Sequence, residues 1–265
     1  MLNGKPYFSA TESAKILSYN QTEHAVKHHA TNVHSTQDNH LLSVGGVRVL
    51  NVDFSIEIPK GFIVIISGVP GAGKTTVSYE LLKRFDCFRI IEETDLMREI
   101  LRGYNKYIEE QFGEKARFVL DNIEIYEHTK LLNFQEMVEQ SKIMTYSIKH
   151  IIARQKRKGI SSIINGVHIV PNLMEELSDY DNIAYVNLHV NSEEALKKRI
   201  LERDPNSYML DEIKFMYERN LELSNSVENF IISGSGLHQN IDSTNLTIQE
   251  VICLIVENIT KMKKG

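Results

Sequence analysis

One run constrains this chain more than any other: Gly68-Val69-Pro70-Gly71-Ala72-Gly73-Lys74-Thr75-Thr76. It satisfies G-x-x-x-x-G-K-[ST], with an Ile-rich run before it (Phe62–Ser67) and an amphipathic stretch after it (Thr75–Phe85). At a strand-to-helix junction such a run turns backbone N–H groups inward, because glycine lacks the Cβ that would fill the concavity. The following helix presents its N-terminal N–H groups and positive dipole end to the same anion. Lys74 has the reach for β- and γ-phosphates, and the Thr75 hydroxyl suits Mg²⁺. The reading is therefore ATP with Mg²⁺, cradled by residues 68–76, with Lys74 also acting in catalysis. A glycine-rich turn that binds nothing is the bland alternative, and the strand–helix setting weighs against it.

A loop of this kind belongs at the end of a strand in a parallel sheet, and the rest of the chain reads accordingly. Short Ile/Val-rich runs bounded by turn residues occur at Phe62–Ser67, Phe88–Ile91, Ser161–Ile164, Ala184–Val190 and Asn229–Ile232. Each predicts a buried strand. Helical stretches separate them: Thr75–Phe85, Asp95–Arg102, one within Ile123–Lys158, Ser192–Arg203, Asp211–Ser224 and a closing one at about Thr247–Met262. Strands alternating with helices predict an α/β fold with a doubly wound, five-stranded parallel sheet. The pattern begins near residue 55, which predicts a small α+β appendage over 1–54 and a main domain over 55–265. Within 37–60, Gly46–Asn51 and Phe54–Ile58 read as extended pieces of a hairpin.

Composition narrows the partners. The net charge of −5 gives no global attraction to nucleic acid or an anionic membrane. Cys87 and Cys253 lie far apart without metal-ligand spacing, so reduced thiols in a cytoplasmic protein are expected. No apolar run approaches the ~20 residues of a membrane span.

Chemistry beyond the loop is expected where the strands end. Glu92-Glu93-Thr94-Asp95-Leu-Met-Arg98 follows the second strand, and ligands in open parallel sheets sit outside the strands' carboxyl ends. Asp95 can accept the proton of an attacking hydroxyl or join Thr75 in holding Mg²⁺. Arg98, one turn on, can grip an anionic acceptor. A capped helix start with solvated Glu92 and Glu93 is the structural alternative. Asn165 and His168 close the third strand as candidate acceptor contacts, although Asn165 brings no charge, and a satisfied structural histidine is the equal alternative for His168. Arg199 and Arg203, four apart on one helix face, can stabilise charge on a transferring phosphoryl group. The alternative is a solvated face paired with Glu193, Glu194 and Glu202.

These residues match a known pattern. The phosphate loop, Thr94-Asp95-Leu-Met-Arg98-Glu, Asn165-Gly-Val-His168-Ile-Val-Pro171 and Glu194-Ala-Leu-Lys-Lys-Arg199-Ile-Leu-Glu-Arg203 together resemble the 2-phosphoglycerate kinase family over about residues 60–255. More distantly they are similar to zeta-toxin-like and other small-molecule kinases. The resemblance implies a sheet order of 2-3-1-4-5 and ATP-dependent phosphorylation of a small, anionic acceptor. The family carries Glu where this chain has Asn165, and the N-terminal nucleotide-sensing domain of the archaeal enzymes is not recognisable.

The start of the chain, Tyr7–Tyr19 with Glu23–His29, is weakly similar to Bro-N-type antirepressor DNA-binding domains, and Gly45-Gly46 falls where those have a hairpin turn. Five of the ten histidines lie between His24 and His40, without clear ligand spacing. Three readings follow: a small-molecule kinase, a kinase acting on nucleic acid or a modified base, and an ATP-gated DNA-binding regulator. A homodimer is compatible with each.

Overall fold

In the computed structural model the residues described are 42–44, 47–49, 58–113, 133–177, 182–206, 208–233 and 237–262. The chain divides into two compact units, Met1–Asp53 and Phe54–Gly265. In the first, β1 (Leu42–Val44) and β2 (Val47–Val49) pair antiparallel, with Val44 opposite Val47. The turn between them, the expected piece at 54–57 and the stretches carrying the antirepressor and histidine readings lie outside the described residues.

The second unit is built on a five-stranded parallel sheet in the order β4-β5-β3-β6-β7. Its strands are β3 (Ile63–Ser67), β4 (Phe88–Glu93), β5 (Ser161–Gly166), β6 (Ile183–His189) and β7 (Leu237–Asp242). This is the expected 2-3-1-4-5 order. The three inner strands, β3, β5 and β6, are buried at every position. A strand covered on both faces cannot alternate apolar with polar, which is why these three are legible as continuous runs.

Helices cover both faces. They are α1 (Lys74–Arg84), α2 (Thr94–Phe112), α3 (Phe134–Lys158), α4 (Pro171–Glu175), α5 (Glu193–Arg203), α6 (Leu210–Ser233) and α7 (Ile248–Met262). Ile63 and Ile65 point into one core with Met97 of α2, Ile148 and Ile152 of α3, Leu173 of α4 and Leu223 and Val227 of α6. Successive strand residues alternate faces, so Val64 and Ile66, also fully buried, serve the opposite side. There α1 packs on β3, β4 and β5 and against α7. Helix α3 begins with a capping box, Asn133 and Glu136 each accepting the other's backbone N–H, and ends at Gly159 in the left-handed region. No helix among the described residues is long and apolar enough to cross a membrane.

The fifth strand is not where the apolar run predicts it. Asn229–Ile232 belongs to α6, and the strand is the polar segment Leu237–Asp242. Phe230 and Ile231 continue the helical spacing of Met216, Leu223 and Val227 and pack on the same core. Among the described residues strand β7 pairs on one side only, with β6. Much of its anchoring is polar: Asn187 Nδ2 donates to Asn240 Oδ1 (2.8 Å), and Asn240 Nδ2 donates to Ser224 Oγ on α6 (3.0 Å). The His238 ring stacks near Phe230, centroids 4.9 Å apart. Hydrogen bonds replace the apolar signal that a strand run normally carries.

Candidate active site

The phosphate loop leaves β3 at Gly68, which is required twice over. Its φ of 141° suits only glycine, and a Cβ there would collide with the Leu188 carbonyl oxygen on β6. Loop and neighbouring strand are thus in backbone contact. Val69 and Ala72 are buried beneath, whereas Thr75 and Thr76 are exposed on the first turn of α1. The Lys74 ammonium donates to the Val69 carbonyl (3.0 Å), spanning the loop from within. Desolvation pulls its pKa from 10.5 to about 8; Arg203 and Arg219 push the same way, against the charges of Asp95 and Glu93. A cavity of about 610 Å³ opens over residues 71–77 and is walled by Leu188, Arg199, Arg203, Ser243 and Leu246.

Beside the loop, β4 runs two residues further than the apolar pattern and includes Glu92 and Glu93, paired opposite Ile164 and Asn165. Glu92 accepts from Gln155 Nε2 (3.3 Å) and is a packing group of the sheet edge. Asp95, in the first turn of α2, is exposed, and its Oδ1 lies 3.7 Å from Arg98 Nη2 and 4.0 Å from His168 Nδ1. Arg98 is only 7 % exposed, and its Nε and Nη1 have no hydrogen-bond partner. A buried guanidinium with two idle donors is an anion site in waiting, since leaving such groups unpaired is costly.

His168 lies under this cluster, fully buried. Its Nδ1 shares a hydrogen bond with Thr94 Oγ1 (2.9 Å), and its Nε2 has no partner. Burial, with the charges of Arg98, Lys74 and Arg219, outweighs Asp95 and lowers its pKa to about 4, so the ring is neutral. Gly166 makes the packing possible, because a Cβ there would overlap the Thr94 side chain. The sequence-selected Asp95, Arg98 and His168 are therefore one assembly. Asn165 is not part of it: its Nδ2 donates to Ser78 Oγ (2.9 Å), and Ser78 Oγ donates to the Lys74 carbonyl (2.9 Å). Asn165 braces the helix behind the loop, so it stands apart from the acceptor contacts expected of it.

The two arginines of α5 part company. Both line the cavity. Arg203 is exposed, and its charge reaches Lys74. Arg199 is half-buried and turned to the segment after β7, donating to Ser243 Oγ (3.0 Å), to the Ser243 carbonyl and to the Thr244 carbonyl (3.2 Å). Sequence reasoning missed Arg219 of α6, which is 1 % exposed and acts electrostatically on both Lys74 and His168. The signal was present: Ile213, Met216, Asn220, Leu223 and Val227 mark a buried face, and Asn220 with Arg219 interrupts it.

The AAA_18 family model, an AAA domain, matches residues 64–222, more than half of the chain. The chain belongs to this family. Its match begins on β3 and ends in α6, so it takes in the loop, the Asp95 cluster and both arginines of α5. Over 209 residues this AAA-family chain is 30 % identical to a 2-phosphoglycerate kinase of Methanococcus maripaludis (strain C5), which bears out the resemblance read from the motifs. That alignment covers 75 % of this chain and 64 % of the relative, so the chain spans less than two-thirds of that protein's length. A mevalonate-3-phosphate 5-kinase of Thermoplasma acidophilum is 29 % identical over 116 residues, 43 % of this chain and 55 % of that protein. Among solved structures, a gluconokinase from Sinorhizobium meliloti 1021 superposes with a TM-score of 0.47 at 14 % identity, covering 78 % of this chain and 95 % of its own.

Proposed function

We propose that this chain is an ATP-dependent kinase that moves the γ-phosphate of ATP to a hydroxyl of a small, anionic metabolite. The observation that carries the reading is the joining of Asp95, Arg98 and His168 into one cluster whose carboxylate acts on Lys74. A cradle that only held a nucleotide would have no use for a buried arginine with idle donors beside the γ-phosphate position.

In this reading residues 68–76 hold the phosphates by backbone N–H groups, and the Lys74 ammonium leaves the Val69 carbonyl for the β- and γ-oxygens. Arg98 binds the acceptor's anionic group and sets its hydroxyl toward Asp95. The hydroxyl oxygen attacks the γ-phosphorus, its proton passes to the Asp95 carboxylate, and the bond to the β,γ-bridging oxygen breaks to release ADP. The exposed Thr75 hydroxyl and the Asp95 carboxylate are oxygen donors of the kind Mg²⁺ accepts, directly or through water. When bound, Mg²⁺ supplies charge neutralisation on the β- and γ-phosphates. Arg203 adds positive charge from the opposite wall. The two kinases similar to this chain are named for 2-phosphoglycerate and mevalonate 3-phosphate, both acids that already carry a phosphate, and Arg98 suits that class.

The test is γ-labelled ATP with a metabolite extract and, separately, 2-phosphoglycerate, read by mass spectrometry. One compound should gain a single phosphoryl group. Asp95→Asn should lower the rate on the order of 10²–10⁴-fold while ATP binding stays nearly intact. Tight ATP binding with no phosphorylated product from any fraction would overturn the proposal.

A further inference from the structure

We infer that Glu93, together with the Thr75 hydroxyl, is the group that holds Mg²⁺ against the bound nucleotide, and that Asp95 is thereby left to the acceptor. The inference rests on the phosphotransfer reading above and divides two neighbouring carboxylates between its two ligands.

Strand register places the side chain. At the carboxyl end of the sheet Glu93 of β4 lies opposite Asn165 of β5, and Asn165 lies opposite Ile66 of β3. The row continues through Val186 of β6 to Gln239 of β7. Residues in register across a parallel sheet share a face, and successive residues alternate between faces. The bonds of this row show which face it is. Asn165 Nδ2 donates to Ser78 Oγ of α1 (2.9 Å), and Gln239 Nε2 donates to the Leu254 carbonyl of α7 (3.0 Å). Glu92, one residue earlier, takes the other face, where it accepts from Gln155 of α3. Glu93 therefore stands on the α1 side, one strand spacing of about 4.8 Å from Asn165. Ser78, which Asn165 holds, donates in turn to the carbonyl of Lys74, the residue before Thr75. Within the row Glu93 alone carries a charge.

The structural tasks open to this carboxylate are left undone. Glu93 is the N-cap residue of α2, yet its side chain makes no capping hydrogen bond, and glutamate is not among the residues that cap well. Among the described residues no hydrogen bond or ion pair engages it. Being half-buried, it gives up part of its hydration without gaining a protein partner. A hard divalent cation is the partner such an oxygen suits. The Lys74 ammonium, whose pKa is set first by desolvation, also feels the Glu93 charge, in keeping with a carboxylate on the loop's side of β4.

Asp95 is turned to the other ligand. Its Oδ1 lies 3.7 Å from Arg98 Nη2 and 4.0 Å from His168 Nδ1, on the acceptor's side. A carboxylate bound to a dication loses basicity, because the opposite charge favours its ionised form. One group therefore serves poorly as metal ligand and proton acceptor at once. Two groups, set two residues apart where strand passes into helix, divide the work.

The test uses the full chain and ADP, titrated by calorimetry with saturating Mg²⁺ and again with EDTA. The wild type should bind ADP at least ~10-fold more tightly with Mg²⁺, within the usual range of coupling between two ligands. Glu93→Gln, which keeps the volume, should shrink that gain to about threefold or less, while its affinity for metal-free ADP stays nearly unchanged. Asp95→Asn should keep the gain. Should Glu93→Gln fail to fold, Glu93→Ala decides by the same two affinities. A Glu93 variant that keeps the full gain, or that loses metal-free ADP affinity in equal measure, overturns the assignment, as does an Asp95→Asn variant that loses the gain. A wild type that binds ADP equally with and without Mg²⁺ removes the ATP–Mg²⁺ reading itself, a different result from retention of the gain in the variant.

Discussion

At the scale of single residues the site is a set of charges held away from their ordinary behaviour. Lys74 is the clearest case, with its ammonium pulled down to about 8 chiefly by desolvation. Phosphate binding needs the charged form, so ATP affinity should fall as pH rises through 8, about tenfold between pH 7 and pH 9. Stability should move the other way. The unfolded chain keeps the lysine pKa near 10.5, so between 8 and 10.5 it binds more protons than the folded one, and stability gains with pH there. Calorimetric titration of ATP at pH 7, 8 and 9 checks the first statement; Lys74→Met should bind weakly with a flat profile. His168, whose pKa burial lowers to about 4, adds stability that grows with pH between about 4 and 6.5 and is flat between pH 7 and 9.

At the scale of elements, α6 is the piece on which the site turns. It spans Leu210–Ser233, buries Ile213, Met216, Leu223 and Val227, and offers Asn220 to the end of β6. Asn220→Leu keeps the volume but strips two buried hydrogen bonds, leaving the Val190 N–H and carbonyl unpaired. Each such group costs about 1–3 kcal/mol, so urea denaturation should show a loss of roughly 2–6 kcal/mol. An unchanged midpoint would mean that α6 is held by apolar packing alone. Element α2 plays a matching part across the site, since its first turn brings Thr94, Asp95 and Arg98 together and Gly166 leaves room for it.

At the scale of the whole molecule, the loop joins β3 to α1, Asp95 begins α2 and Arg203 ends α5, so a nucleotide bound among them should tie the unit Phe54–Gly265 together. Saturating ATP with Mg²⁺ at about 100 times its dissociation constant should stabilise the fold by roughly 2.7 kcal/mol. For a unit of this size that raises the melting temperature by about 5–10 °C. Differential scanning calorimetry with and without nucleotide measures it, and the shift should vanish in Lys74→Met.

The sequence by itself determined the phosphate loop, four of the five strands of the parallel sheet, and the helix start bearing Asp95 and Arg98, while the strand order came from the family resemblance. Those features are local: a motif fixes its own backbone, and a strand buried on both faces reads as an unbroken apolar run. The edge strand β7 escaped because its partners are Asn187, Ser224 and the His238 stacking, which leave no periodic trace. Asn165 and Arg199 stood in the expected places, yet only tertiary contacts show that one holds Ser78 and the other Ser243 and Thr244. Arg219 sits on a helix face whose spacing was legible, and only the tertiary structure shows that its charge is buried. Such burial depends on segments far apart in the chain, as the action of its charge on Lys74 and His168 shows.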